Sequence, residues 1–151
     1  RDAQRKTLES TEKTGMAVLM DIGEEKDIHP HNKKDVGERL ALLALDKDYD
    51  YDIVSMGPLY KSHKNFRNYI EVDFTEKGSG LISKGNLNGF EIAGENGVYH
   101  KAYAKILDDK VIVSSKKVIN PKYVRYGWKN WIIGTLFNKE GLPASSFTSK
   151  K

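Results

Sequence analysis

The sequence predicts a mixed fold class, with a helix–strand–helix piece of α/β type over residues 1–50 and an all-β sandwich over 51–151. Three observations predict it. Residues 16–20 read M-A-V-L-M, apolar at every position, as in a strand buried on both faces of a parallel sheet. From about Asp52 onward, short apolar alternations recur at spacings near ten residues with turn residues between them, the pattern of a β-sandwich. One parallel strand with two helices cannot enclose a core. The first 50 residues are therefore expected to be the last βα unit of a doubly wound sheet whose other strands this chain does not supply.

Taken in order, Arg1 to about Glu12 is polar and free of Gly and Pro, which predicts a helix that Thr14-Gly15 ends. Residues 16–20 form the predicted strand, and a polar loop runs from Asp21 to His29. Pro30 stands where a helix can begin. Val36, Leu40 and Leu43 recur at helical spacing, flanked by Ala41 and Ala44, and predict a helix over about 31–47. Asp35 and Arg39, four apart, are expected to pair on its outer face. In the second part, Ile70, Val72 and Phe74 alternate with Glu71 and Asp73, as a half-buried strand requires. Ile106-Leu107 and Val111-Ile112-Val113 flank Asp108-Asp109-Lys110, a hairpin signal, and Asn96-Gly97 marks a further turn. Tyr123–Tyr126 predicts one more strand.

Composition narrows the function classes. Apolar residues make up 38% and charged residues 30% of the chain, as in a globular protein, and no apolar run approaches the roughly 20 residues of a membrane span. The absence of cysteine excludes disulfides, thiolate metal sites and cysteine nucleophiles. It also fits a periplasmic or extracellular protein. The net charge of +4 is spread in isolated pairs such as Lys33-Lys34 and Lys116-Lys117, not the dense basic patch that nucleic acid binding needs. The chain starts at Arg1, not Met, and is expected to begin within a longer reading frame.

In open α/β sheets ligands bind beyond the carboxyl ends of the strands. The loop after residues 16–20 is in that position and reads D-I-G-E-E-K-D-I-H-P, with Asp21, Glu24, Glu25, Asp27 and His29 within nine residues. An imidazole, with an unperturbed pKa of about 6.5, is a base at neutral pH, and a carboxylate on its other nitrogen sets its tautomer. His29 is thus the candidate base and Asp27 its candidate orienter. The same residues read as an ordinary solvated loop, or as a metal loop, although the acidic spacing is not that of a regular calcium loop. His31, His63 and His100 read as surface or turn histidines. Tyr126, Trp128 and Trp131 cluster near the end, where aromatic faces serve either packing or sugar contact.

Residues 16–42, M-A-V-L-M-D-I-G-E-E-K-D-I-H-P-H-N-K-K-D-V-G-E-R-L-A-L, resemble the last catalytic block of the sialate O-acetylesterase family, one of the SGNH or GDSL-like hydrolases. R-D-A-Q (1–4), S-M-G-P-L-Y (55–60), G-S-G-L (78–81), G-F-E-I-A-G (89–94), V-R-Y (124–126) and N-K-E-G-L-P-A-S-S-F (138–147) resemble further family features, in family order. The resemblance implies that residues 1–50 close a flavodoxin-like SGNH catalytic domain and that 51–151 form a C-terminal β-sandwich. It implies that His29 is the catalytic base. Asp27 lies two residues before it, where the general pattern places Asp three before and this chain has Lys26. A Ser-His dyad and a Ser-His-Asp triad both stay open. Asp21 and Gln4 match recurrent positions, Asp21 more as a loop organiser than as a catalyst.

The family's serine sits in a G-Q-S-N-M-like block that does not occur here, and Ser55, Ser79, Ser114 and Ser145 lie in other contexts. Ser146 and Thr148 stand where the family usually carries proline and arginine. The expectation is a carbohydrate esterase that removes O-acetyl groups from sialic acid or a related acetylated sugar by acyl transfer. This chain would supply the base, and an N-terminal catalytic segment would supply the nucleophile. No metal or organic cofactor, nucleic acid or membrane is expected to take part. The alternative is a non-catalytic β-sandwich module that binds carbohydrate or another partner.

Overall fold

Local signals in the first 50 residues make two helices. The structure, a computed structural model, describes residues 1–150. Helix α1 spans Asp2–Ser10 and helix α2 spans Lys34–Lys47. Asn32 starts α2 with a reciprocal cap: its Oδ1 accepts the Asp35 N–H at 3.1 Å and its Nδ2 donates to Asp35 Oδ2 at 3.0 Å. That cap takes Asp35 away from Arg39, so the expected outer-face pair does not form. Arg39 instead turns inward and is buried together with Leu43, whereas Leu40, expected on the buried stripe, is 54% exposed.

Residues 16–20 are not a strand. A strand exists only as part of a hydrogen-bonded ladder, and this run finds none. Its carbonyls are taken singly: Val18 O by the Arg39 guanidinium at 2.6 Å and Met20 O by the Gly134 N–H at 3.0 Å. The α/β assignment is therefore corrected. The described residues form a β-rich domain of antiparallel sheets with two short helices, and contain neither a parallel pair nor a βα unit of the SGNH type.

Ten strands build the rest: β1 Leu59–Asn65, β2 Tyr69–Thr75, β3 Leu81–Ser83, β4 Phe90–Ala93, β5 Tyr99–Lys101, β6 Tyr103–Leu107, β7 Lys110–Ser114, β8 Tyr123–Tyr126, β9 Leu136–Asn138 and β10 Phe147–Thr148. One four-stranded sheet runs β1-β2-β7-β6, a second runs β10-β8-β4-β5, and β3 pairs with β9. The alternation at 70, 72 and 74 turns Ile70, Val72 and Phe74 inward, where they share one core with Val111, Val113, Phe90, Ile92, Val124 and Tyr126. Each such side chain, fully removed from water, contributes roughly 1.5–3 kcal/mol. Phe147 sits between the sheets, stacked on Tyr60 at 4.5 Å and edge-on to Phe74 at 5.9 Å. The β6–β7 hairpin closes through Asp108 and Asp109, both left-handed with φ of 50° and 54°, as a two-residue type I′ turn requires.

The front segment enters the sandwich core through Met20. This side chain, 8% exposed, lies beside Gly127 and Gly134. A Cβ on Gly127 would lie 2.7 Å from Met20 Cε, and Gly127 has φ +63°, so both space and backbone demand glycine. Beside it, the buried Tyr126 hydroxyl accepts the N–H groups of Thr135 at 3.0 Å and Leu136 at 3.1 Å. Burial raises the Tyr126 pKa, so the phenol stays a neutral clamp. No described helix is long and apolar enough to cross a membrane.

Candidate functional site

The loop that carries the candidate base is anchored at its first residue. Asp21 receives both guanidinium nitrogens of Arg39, at 2.7 and 2.6 Å, and Arg39 Nη1 also reaches Val18 O. Both side chains are about nine-tenths buried. This bidentate pair fixes the exit of the extended run against α2. Asp21 thus orders the loop, as its position suggests, through a partner that helical spacing alone does not reveal.

Farther along, His29 projects from the loop with its side chain 82% exposed. Asp27 stands beside it, but Asp27 Oδ1 accepts the His29 backbone N–H at 2.7 Å and lies 4.0 Å from Nδ1. The carboxylate fixes the backbone at 29 and leaves both ring nitrogens open. The imidazole–carboxylate pair that closes is a different one. His31 Nδ1 lies 3.0 Å from Glu24 Oε1, which also accepts the His31 backbone N–H at 2.8 Å. These bonds, first the backbone N–H and then the ring, hold Glu24 below the usual carboxylate range. Glu24 and Asp27 are bridged through their backbones, so the loop folds back on itself. One ligand atom each from Glu24, Asp27 and His31 lies within 4.8 Å of the others, a donor set suited to a small divalent cation, with all three residues exposed.

Two hollows adjoin the loop. Glu24, Glu25, Asp27 and Ile28 form an open shelf with Lys129, Asn130 and Trp131. An apolar cleft of about 250 Å³ runs along Met16–Met20, walled by Gln4, Gly23, Trp131, Ile132, Ser145 and Ser146. Trp131, 39% exposed, borders both. Arg1 pins the 127–130 turn by donating to the Gly127 carbonyl at 2.8 Å and to the Lys129 carbonyl. Of the clustered aromatics, Tyr126 is core, while Trp128 and Trp131 are partly open.

The serines do not gather at His29. Ser55 Oγ donates to Asp46 Oδ2 at 2.5 Å and ties the end of α2 to the sandwich. Ser145 Oγ donates to the Ser146 carbonyl, and both residues are buried. Ser114 lies on the outer face of β7, and the Ser79 backbone N–H is held by Glu140. None of them lines the shelf. Sequence reasoning misses the Glu24–His31 clasp because its partners are seven residues apart across an irregular loop. It misses the inward turn of Arg39 because a charged residue at a helical i+4 spacing reads as surface. The Asn32-x-x-Asp35 cap is a signal that the sequence does carry.

No family profile and no curated protein matches the chain. Among solved structures, the chain is similar to that of XAC1771, a carbohydrate acetylesterase from Xanthomonas citri, at 40% identity with a TM-score of 0.85. The match covers 89% of this chain and 32% of that one, so this chain spans about a third of the length of the solved structure. In sequence and in fold, the protein is therefore related to part of a carbohydrate acetylesterase.

Proposed function

We propose that this chain belongs to a carbohydrate esterase that removes O-acetyl groups from sialic acid or related acetylated sugars, and that His29 is its base. The observation that carries the reading is the 40% identity, over 89% of this chain, to a carbohydrate acetylesterase. The resemblance of its D-I-H-P block favours His29 over His31; the His29 ring nitrogens are open, whereas His31 Nδ1 already holds a carboxylate, Glu24, as an oriented base would. The nucleophile is a serine outside these 151 residues, presented by an N-terminal catalytic segment that packs against the shelf and the apolar cleft.

In this mechanism the serine hydroxyl attacks the acetyl carbonyl as His29 takes its proton. The tetrahedral intermediate collapses, the bond between the acyl carbon and the sugar oxygen breaks, and His29 returns the proton to that oxygen, releasing the sugar hydroxyl. Water, deprotonated by the same imidazole, then attacks the acetyl-serine; the acyl–serine bond breaks, His29 returns the proton to the serine oxygen, and acetate leaves. Asp27 orients the ring if it exchanges its bond to the His29 N–H for one to Nδ1, giving a triad; otherwise the pair works as a dyad. Trp131, between shelf and cleft, offers an aromatic face to the sugar.

The test measures acetate release from O-acetyl sialic acid and from acetylated xylan. The protein that carries this chain should turn over one of them. The 151 residues alone should show background rates with a small acetyl ester. Robust turnover by the 151 residues would place the nucleophile within them and end this reading.

A further inference from the structure

The outer face of the β1-β2-β7-β6 sheet has no part in the chemistry above. Tyr69 pairs with Ser114, and Ser114 pairs with Tyr103, so the three side chains lie in one cross-strand row on that face. The tyrosines flank β7 and are therefore roughly 10 Å apart at the backbone, about the reach of two linked pyranose rings. Phe66, 41% exposed, stacks on Tyr69 at 4.5 Å and 12°, and Tyr103 is 69% exposed. Rings that open to solvent do not serve the core. Tyr103 presents a flat apolar face with a polar tip, and the Phe66–Tyr69 stack, with Tyr69 half-buried, presents a second apolar face; such faces suit the C–H face of a sugar.

Charge on this face is arranged around the row. Its acidic residues are already engaged: Glu71 by Lys110 at 2.7 Å, and Asp73 by Lys61 at 3.7 Å and Lys77 at 3.4 Å. Lys64 and Arg67 flank the Phe66–Tyr69 end, and Lys101 and Lys105 flank the Tyr103 end. All four are exposed, and none has an ion pair among the described residues. Beyond the edge strand β6, a groove of about 780 Å³ continues the row, lined by Asn86, Asn88, Lys101, Tyr103 and Lys105.

We infer that this face is a second, non-catalytic binding surface for a uronate-bearing polysaccharide. Successive sugars stack on the Phe66–Tyr69 pair and on Tyr103. Carboxylates meet the unpaired cations at either end, and the chain leaves through the groove past Asn86 and Asn88. A single-stranded nucleic acid would need a continuous cationic track for every phosphate, whereas here the unpaired cations are confined to the two ends. The inference rests on the esterase reading only for the class of occupant. Its test requires no turnover, so the two readings fail separately.

The test titrates the 151-residue chain calorimetrically with polygalacturonate, glucuronoxylan oligosaccharides, a neutral arabinoxylan and oligodeoxythymidylate. Uronate-bearing glycans should bind, more weakly at higher salt. Tyr103→Ala and Lys105→Glu should each weaken binding by about tenfold with an unchanged thermal midpoint. Both side chains are exposed, and circular dichroism checks that each variant folds. Absence of uronate binding, equal binding of the neutral glycan, preference for oligodeoxythymidylate, or indifference to both substitutions would overturn the inference.

Discussion

The front segment and the sandwich are held by different physics. In the sandwich, Ile70, Val72, Phe90, Ile92, Val111, Val113, Val124 and Phe147 are all at most 1% exposed and share one core. Over residues 1–50 only Met20, Leu43, Arg5 and Arg39 are buried, and Leu19, Ile28, Leu40 and Tyr49 stand exposed. Point contacts hold that segment: Met20 in the core, Asp21 on Arg39, Arg1 on the 127–130 turn, and Ser55 on Asp46. A scaffold held by area tolerates local loss, whereas a segment held by a few polar contacts fails contact by contact. On the proposed reading, in which the loop carries the base and a partner segment packs on it, the contrast leaves apolar surface open to be covered.

The comparison can be broken at either end. The largest effect is expected for Phe147→Ala, which empties the space between the sheets and should cost about 3–5 kcal/mol in chemical denaturation, the range for a deleted core aromatic. Next comes Arg39→Met, which leaves the Asp21 carboxylate buried without its partner. It should cost about 3 kcal/mol, the low end for a broken buried pair. Hydrogen exchange should report that loss in residues 16–33 and leave the β2 and β7 amides as protected as before. Equal deprotection of β2 would mean that the two regions unfold as one.

Acid should have the smallest effect of the three, on the loop. Glu24 titrates below the usual carboxylate range in the folded protein. Its clasp on His31 is therefore fully present above that range and is lost as pH falls through the lowered value. Chemical shifts of the His31 amide should follow that titration while those of Ile70 and Val113 do not move. Glu24→Gln should abolish the pH dependence at His31 and leave the thermal midpoint unchanged.

What was legible follows the same division. The period-two pattern at 70–74, the Asn96-Gly97 turn and the strand at Tyr123–Tyr126 appear as read, and the hairpin read at 108–110 closes through Asp108 and Asp109 with Lys110 already in β7, because burial on one face leaves a repeating trace. Helix α2 was legible by spacing, but its buried stripe was not: an arginine drawn in by Asp21 displaces Leu40 from the expected face. The run at 16–20 carries the composition of a strand without a ladder partner, and its one buried member, Met20, serves as an anchor. The buried Asn138 was also hidden. It donates to Met56 O at 3.0 Å and accepts the Leu142 N–H at 2.9 Å, contacts between residues far apart or in an irregular tail that no local pattern announces. At the candidate site, His29 and Asp27 were read by type and position, and the structure joins Asp27 to the His29 backbone and not to its ring, whereas the clasp that shapes their loop was not read at all.

The most direct measurement compares the two imidazoles. In the protein that carries this chain, kcat for acetate release is determined for His29→Ala and His31→Ala. The account predicts a loss of about 10³-fold or more for His29→Ala and less than about tenfold for His31→Ala, whose ring is engaged by Glu24. The reverse order, or a loss of less than about tenfold at His29, would contradict it.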